Sequence, residues 1–444
     1  MLVEQTVKKY DTYKDSGIEW IGEIPQEWTV GNLKRLTDFI KNGTSATQVE
    51  NETEYKVSRI ETISTGEINY SKTGYIQYFD NIDNYRLNSN DILFSNINSL
   101  EMVGNVAIYD NKQPLYSGMN LLRISINKST SPKWLFYVLR NSYFVEQVKA
   151  NAKHAINQVS ISVGRLSQIP IIIPSKGEQQ RIAEYLDKKC GEIDKVVETE
   201  KAVIELLKEY KQSVITEAVT KGLDKSVPLK DSGIEWIGKI PQHWEVTQIS
   251  KLYNIILGKM LCTKPISDTD TLENYLCSAN IKFEGIKTDE IKQMYFNESE
   301  KKLYLLNQND VLISEGGDAG TAAIYNNEAY PCYIQNAVHK ATAYNKQIVL
   351  NKFLYYWMFF CKKCGYIDLT CNKATIMHYT KEKVSKTPIV FISRQEQQQI
   401  AEYLDKKCSE IDKVITGKEQ LIEKLTEYKK SLIYECVTGK RKVV

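Results

Sequence analysis

No stretch of this 444-residue chain approaches the ~20 consecutive apolar residues of a membrane span. Its strongest apolar run, FLYYWMFF at residues 353–360, suits a short buried helix or strand. The opening MLVEQTVKKYDTYK has no apolar centre of the kind a signal peptide carries, so the sequence points to the cytoplasm. Nine cysteines, an odd number at scattered positions, fit reduced thiols rather than a disulfide framework. Cys361 and Cys364 form a CxxC followed by Cys371 and His378. That spacing matches no common zinc module, and the corresponding part of the first half, residues 134–149, has no cysteine. No metal site is expected.

Signatures of chemistry are missing too. The chain has no Walker A sequence, GxSxG elbow, HExxH or tandem zinc signature, and no Asn-Pro-Pro-aromatic run of an adenine methylase. Its one glycine cluster, EGGDAG at residues 315–320, reads as a tight loop between strands rather than a phosphate cradle. The four histidines form no pair that recurs along the chain. Any catalysis in which this protein takes part is expected to use another chain's active site. Net charge is only +3, which permits nucleic-acid binding without demanding it.

What the chain has in abundance is repetition. Residues 178–222, beginning EQQRIAEYLDKKCGEIDKV, return almost intact from Glu396 as EQQQIAEYLDKKCSEIDKV. Both copies lack proline, and at ~1.5 Å per residue each makes a helix of roughly 60 Å. Ile182, Leu186, Ile193, Val196, Val203, Leu207, Tyr210 and Val214 form a narrow heptad stripe. Such a helix is marginal alone and needs a partner for its stripe. The other copy, lying antiparallel, is the expected partner, with Leu186, Ile193, Leu207 and Val214 in one seam and Leu404, Ile411, Leu425 and Leu432 in the other. Glu200 and Lys418 occupy matching charged seam positions near the middle and are expected to face each other and help set register.

The repeat reaches beyond the helices. DSGIEWIGEIPQ at residues 15–26 recurs as DSGIEWIGKIPQ at 231–242, each followed by a tryptophan, Trp28 or Trp244, and a strand-like stretch. The intervening segments have diverged but keep a skeleton: NDILFS (90–95) and NDVLIS (309–314), GNVAIY (104–109) and GTAAIY (320–325), QIPIIIP (168–174) and KTPIVFIS (386–393). Richness in Tyr, Ile, Val and Thr with Asn and Gly punctuation favours short strands with a few helices, an α+β fold. The expected order is an N-terminal lead-in (1–27), a first module (28–177), a long helix (178–222), a linker and second lead-in (223–243), a second module (244–395), and a second long helix with tail (396–444). An antiparallel helix pair would make the chain pseudo-twofold and nearly circular. Two near-identical frames holding two divergent inserts suggest a fixed scaffold that carries exchangeable recognition modules, while tandem duplication with one working half is the plainer alternative.

DSGIEWIGEIPQEW, NDILFS…GNVAIY and QIPIIIP…EQQRIAEYLDKK, with their second copies, closely resemble the DNA-specificity subunit of type I restriction–modification systems, over essentially the whole chain. The resemblance implies two α/β target-recognition domains separated by long antiparallel coiled-coil helices, with each domain reading half of a split, asymmetric duplex DNA target. It also implies two methyltransferase subunits and two motor–nuclease subunits as partners. Those partners would bind S-adenosylmethionine, ATP and Mg, leaving this chain no cofactor. Modules one helical turn apart on DNA would leave an unread gap of roughly 5–7 bp. The alternative is a structural or inhibitory coiled-coil protein that binds methyltransferase subunits without selecting DNA; a stand-alone nuclease is disfavoured because no carboxylate cluster recurs.

By position in the family's pattern, the first module's candidate DNA contacts are Lys41, Asn42, Thr44, Ser45, Ser95, Asn96, Asn98, Asn120, Arg123, Lys153, Asn157, Gln158 and Ser160. In the second they are Ser314, Gly316, Gly317, Gln335, Asn336, Asn372, Lys373 and Thr375. Residues 244–393 contain no arginine, whereas the first module has six. Bidentate arginine–guanine contacts are therefore excluded from the second module, which inclines its half-site toward A·T.

Overall fold

The computed structural model describes residues 8–156, 158–371 and 377–443. The chain divides into two compact units, one formed by Met1–Glu200 with Glu419–Val444 and the other by Lys201–Lys418. Two helices dominate, Lys176–Lys221 and Arg394–Val437. Each begins with a serine–glutamate pair. The Ser175 and Ser393 hydroxyls accept the N–H of Glu178 and Glu396, at 3.3 and 3.2 Å. The two carboxylates lie at the positive ends of their helices and also accept the indole N–H of Trp28 and Trp244. One side chain thus starts a long helix and ties it to a module.

Both helices stop at a glycine in the left-handed region, Gly222 with φ 73° and Gly439 with φ 75°. Each glycine packs on a proline and tryptophan of the repeated IPQxW motif. A Cβ on Gly439 would lie 2.3 Å from Pro25, and one on Gly222 would lie 3.2 Å from Trp244. From Gly222 the chain continues covalently into the second lead-in. In the other unit the same place is filled without a covalent link. The Tyr13 hydroxyl donates to Gly439 O, Lys440 Nζ to Glu23 O and the Lys442 N–H to Lys8 O. The C-terminal tail therefore closes onto the N-terminal lead-in.

Each unit carries a four-stranded antiparallel sheet of identical topology. In the first, the order across the sheet is Val106–Ile108, Ile92–Ser95, Leu121–Ile126 and Thr37–Asn42. In the second it is Ala322–Ile324, Val311–Ser314, Val338–Ala343 and Tyr253–Leu257. One face of each sheet is covered by a helix, Pro132–Arg140 or Asn351–Lys363, the latter containing the FLYYWMFF run. Trp28, Trp134, Trp244 and Trp357 are fully buried; truncating such a residue costs about 3–5 kcal/mol. The strand-like stretches after Trp28 and Trp244 are strands only at Thr29–Asn32 and Glu245–Gln248. The residues that follow, Leu33–Leu36 and Ile249–Leu252, form single helical turns, because Leu33, Leu36 and Ile249 must point into the core.

Each unit contains part of both long helices, and they run antiparallel within it. Lys429 Nζ donates to both carboxylate oxygens of Asp194 at 2.6 Å, and Lys211 Nζ to those of Asp412 at 2.8 and 2.7 Å. Leu186, Ile193, Val214, Leu404, Ile411, Leu425 and Leu432 are buried, while Leu207, Glu200 and Lys418 are partly exposed. The other half of the predicted stripe is displaced. Val196 and Tyr210 are 44% and 54% exposed, and their places are taken one residue later by Val197 and Lys211. Cys190 and Ile204, also buried, complete a regular alternation of four and three through 186, 190, 193, 197, 200, 204, 207, 211 and 214. Lys211 conceals this register in the sequence, since its stem lies in the seam while its ammonium reaches Asp412.

All nine cysteines are free. Among the described residues no group of three or more His, Cys, Asp or Glu side chains could hold a metal, and no helix is long and apolar enough to cross a membrane.

Candidate nucleic-acid interface

In each module the same end of the four-stranded sheet gathers the polar loops. In the first, the segment after Thr37–Asn42 crosses the one preceding Leu121–Ile126. The Gly43 N–H donates to Leu121 O at 3.1 Å and the Thr44 N–H to Ser117 O at 2.8 Å. The crossing is so close that a Cβ on Gly43 would meet Gly118 O at 2.0 Å. The second module repeats it. Gly258 and Lys259 donate to Val338 O and Ile334 O at 3.0 Å, and a Cβ on Gly258 would lie 2.4 Å from Gln335 O. Glycine is required at both crossings, whatever else differs.

A third segment joins at the end of the central strand. Ser95 and Ser314 occupy matching places, their N–H groups donating to Asn105 O and Thr321 O at 2.8 Å. In the next residue, Asn96 O accepts from the Ile161 N–H at 2.9 Å, and Glu315 O accepts from the Tyr379 N–H at 2.7 Å. In the first module this brings in a hairpin, Lys153–Ala155 with Gln158–Ser160, whose second strand pairs with Ile97–Asn98. The hairpin exposes Lys153, His154, Gln158 and Ile156, the last almost wholly. In the second module the Glu315 N–H also donates to Ala337 O, so the loops carrying Ser314–Gly317, Gln335–Asn336 and Tyr379 are joined.

The candidates differ in what they can present. Lys41, Asn42, Ser45, Lys153 and Gln158 are exposed, and Asn98, Asn120 and Ser160 partly so. The Lys41 ammonium lies 4.6 Å from the centre of the Phe39 ring. Asn120 adopts φ 68°, the left-handed conformation that asparagine tolerates at a turn. Thr44, Ser95 and Asn96 are buried and serve the loops themselves; the Ser95 hydroxyl accepts from Asn98 Nδ2 at 3.1 Å. Arg123 requires correction as a surface donor. It is buried within the sheet, its Nε 2.6 Å from Asp91 Oδ2 and its Nη1 donating to Asn84 O.

In the second module Ser314 and Gly316 are buried, and Gly317, at φ 71°, is exposed. Gln335 and Asn336 are partly exposed and bond to each other, the Gln335 amide donating to Asn336 Oδ1. Asn157, Asn372, Lys373 and Thr375 lie outside the described residues. At the place matching Arg123, paired with Leu312 as Arg123 is with Leu93, stands Lys340. Its ammonium donates to Leu303 O and Leu305 O, and burial lowers its pKa. Lys259 is likewise engaged, with Glu300 and Tyr295 O. The loop contains Asp318 as well. Burial acts to raise its pKa, but hydrogen bonds from Thr321 and Lys362 outweigh this and hold the carboxyl below its ordinary value.

The modules are clamped to the long helices by a matched pair of contacts. Lys133 and Tyr137 bond the two oxygens of Asp187, and Lys352 and Tyr356 those of Asp405. On the outer side of the helices, two exposed apolar residues flank each inter-helix ion pair. Val196 and Tyr428 accompany Asp194–Lys429, and Tyr210 and Val414 accompany Lys211–Asp412. These include the residues the sequence pattern placed in the seam; their repetition came from an external strip.

Comparison with known proteins agrees with this architecture. Residues 25–208 and again 241–426 match the family described as type I restriction modification DNA specificity domain. A chain from Methanocaldococcus jannaschii assigned as the MjaX type I restriction enzyme specificity subunit is 32% identical over 433 residues, covering 95% of this chain and 96% of that one. The Escherichia coli EcoBI specificity subunit is 23% identical over 256 residues, 55% of this chain and 52% of its own length. Among solved structures, a chain from a study of type I R-M complex assembly and conformational transition superposes with TM-score 0.72 at 15% identity, covering 93% of this chain and 98% of that chain. The HsdS subunit of Thermoanaerobacter tengcongensis gives TM-score 0.52 at 15% identity, covering 94% and 98%. The chain belongs to the type I restriction–modification DNA specificity family and carries its domain twice. Its role is that of the non-catalytic specificity subunit, the chemistry residing in other subunits.

Proposed function

We propose that the two modules each read one half of a split, asymmetric DNA sequence, and that the helices seat methyltransferase subunits that modify an adenine in each half. The observation that carries this reading is the pairing of fixed backbone with variable side chains at one end of each sheet. The crossing at Gly43 and Gly258, and the N–H bonds accepted by Asn96 O and Glu315 O, are the same in both modules. The side chains displayed around them differ. Base-edge readout needs different donors and acceptors for different sequences, whereas phosphate and partner contacts need not change.

The strips Val196–Tyr428 and Tyr210–Val414 support a docking role for the helices, being apolar, exposed and repeated with the frame. The doubling is consistent with two methyltransferase subunits, and the family resemblance implies two motor–nuclease subunits in the restricting complex. S-adenosylmethionine, ATP and Mg would be bound by those partners, in the cytoplasm. The test is to express this chain with its cognate methyltransferase subunit in a methylation-free host and map modified adenines by single-molecule sequencing. A split motif with one modified adenine in each half supports the reading. Modification at a continuous motif, or equally without this chain, overturns it.

A further inference from the structure

We propose that Glu315 is a specificity-determining residue of the second module, accepting a hydrogen bond from the exocyclic N4 amine of a cytosine in the half-site. The proposal rests on the reading of that module as a DNA-recognition unit and adds a base and an atom to it.

The position is set by the frame. Glu315 follows Ser314 at the end of the central strand, its N–H donating to Ala337 O and its carbonyl accepting from Tyr379. It therefore sits where the loops of Gln335–Asn336 and Tyr379 are joined. Asn96 holds the matching place in the first module through the corresponding bond to Ile161. One module thus puts an amide here and the other a carboxylate. Asn96 is buried, with Oδ1 lacking a hydrogen-bond partner among the described residues; Glu315 is half-buried, and its carboxylate has no such partner either.

A half-buried carboxylate keeps part of its water shell, and bound DNA would strip that shell, which is costly unless a donor replaces the water. Burial raises the Glu315 pKa, and His378, whose ring lies 3.7 Å from where a Cβ on Gly316 would stand, acts in the opposite direction. Bound DNA does not supply the missing donor from its backbone, because phosphates are anionic acceptors. With the loop placed in the major groove, where the four base pairs are distinguishable, only the amines on the base edges can pair with this carboxylate. Of the two bases with a major-groove amine, adenine pairs it with the N7 acceptor and asks for a side chain that both donates and accepts, such as Asn or Gln. Cytosine offers the amine alone, which suits an acceptor-only group.

The missing arginine then has a second meaning. With none in residues 244–393, guanine cannot be read from its own edge by a guanidinium, but the same base pair can be read from its cytosine side. The expectation of an A·T half-site gives way at this one position.

The experiment is a binding selection with the purified complex of the full chain and its cognate methyltransferase subunits on a library of random duplexes, comparing wild type, Glu315→Gln and Glu315→Asp. The wild-type selection should require cytosine at one position of one half-site. Glu315→Gln should reduce that preference about tenfold or more, or move it to adenine, while the other half-site stays unchanged and so reports an intact fold. Glu315→Asp should keep the cytosine preference with weaker binding. An unchanged base preference in Glu315→Gln, or uniform weakening without a change of base, would overturn the proposal. If Glu315→Gln does not assemble, Glu315→Asp decides alone, and a lost or altered base preference there refutes it. A wild-type selection yielding no split motif refutes the recognition reading itself rather than the role of Glu315.

Discussion

Lys211 of the first long helix and Asp412 of the second form a two-oxygen ion pair at 2.8 and 2.7 Å, with the lysine stem in the seam between them. Lys429 and Asp194 make the same pair in the other unit. Each lysine thus fills a position that would otherwise be apolar and fixes the antiparallel register of its part of the pair. Because Asp412 is half exposed, Asp412→Ala should cost no more than about 1 kcal/mol in urea unfolding of the full chain. Lys211→Leu combined with Asp412→Ala should be at least as stable as the wild type, since apolar packing replaces an ion pair without penalty. A double variant markedly less stable than Asp412→Ala alone would contradict this account of the seam.

Arg123 should matter for folding rather than for base choice. Its side chain and that of Asp91 are 8% and 4% exposed, so removing the guanidinium strands a buried carboxylate. Arg123→Met should destabilise the protein by about 3–5 kcal/mol, measured by chemical denaturation. The target sequence, determined from whatever folded complex remains, should be unchanged. A stable Arg123→Met protein with an altered motif would restore Arg123 as a DNA contact.

Acid should loosen the second module through His339. Its imidazole is wholly buried, Nε2 donates to Tyr379 O at 2.8 Å, and Nδ1 has no partner among the described residues. Burial lowers its pKa from 6.5 to about 4. The folded protein therefore keeps this ring neutral where the unfolded chain would protonate it. The associated stability is fully present above pH 6.5 and is lost as pH falls toward 4, amounting to about 3 kcal/mol across the window. His339→Gln, which retains an amide donor toward Tyr379 O, should flatten the wild-type pH dependence between 6.5 and 4. Parallel stability profiles for the two proteins would exclude the histidine as the cause.

The external strip gives a prediction about assembly. Tyr210→Glu and Tyr428→Glu should each weaken association with the cognate methyltransferase subunit about tenfold or more, read by biolayer interferometry. Both tyrosines are well exposed, so the melting temperature of the chain should hardly move. Unchanged affinity in both variants would place the docking surface elsewhere.

Much of this architecture is legible in the sequence because the chain states it twice. The helix starts, the lead-in motif and the sheet skeleton recur with little change, and recurrence separates frame from insert without any structure. The seam was only half legible. Val196, Val203 and Tyr210 repeat every seven residues as a seam would, but Lys211 and Cys190 occupy its true second row. Periodicity alone cannot distinguish an internal stripe from an external one when the internal stripe contains a lysine.

The candidate loops come together in the structure, but which side chains they present was not legible. Polar residues at strand ends mark the loops, yet Thr44, Ser95, Asn96 and Arg123 turn inward to satisfy those same loops. The sequence carries a signal for Arg123, a lone charge in the apolar stretch LLRISI, but not for its partner, since Asp91 lies two residues before Leu93, its cross-strand neighbour. Glu315 is the opposite case: an acidic residue looks out of place among candidate DNA contacts until the backbone bonds on either side of it are seen.

In the proposed function each module chooses one half of the target independently of the other. The most direct measurement is a methylation map from cells expressing this chain with its methyltransferase, beside a chain in which residues 244–393 are exchanged for the corresponding segment of a relative with a different sequence. The account predicts that one half of the motif changes completely while the other half is retained base for base. If both halves change together, or neither does, the two modules do not read separately and the account is wrong.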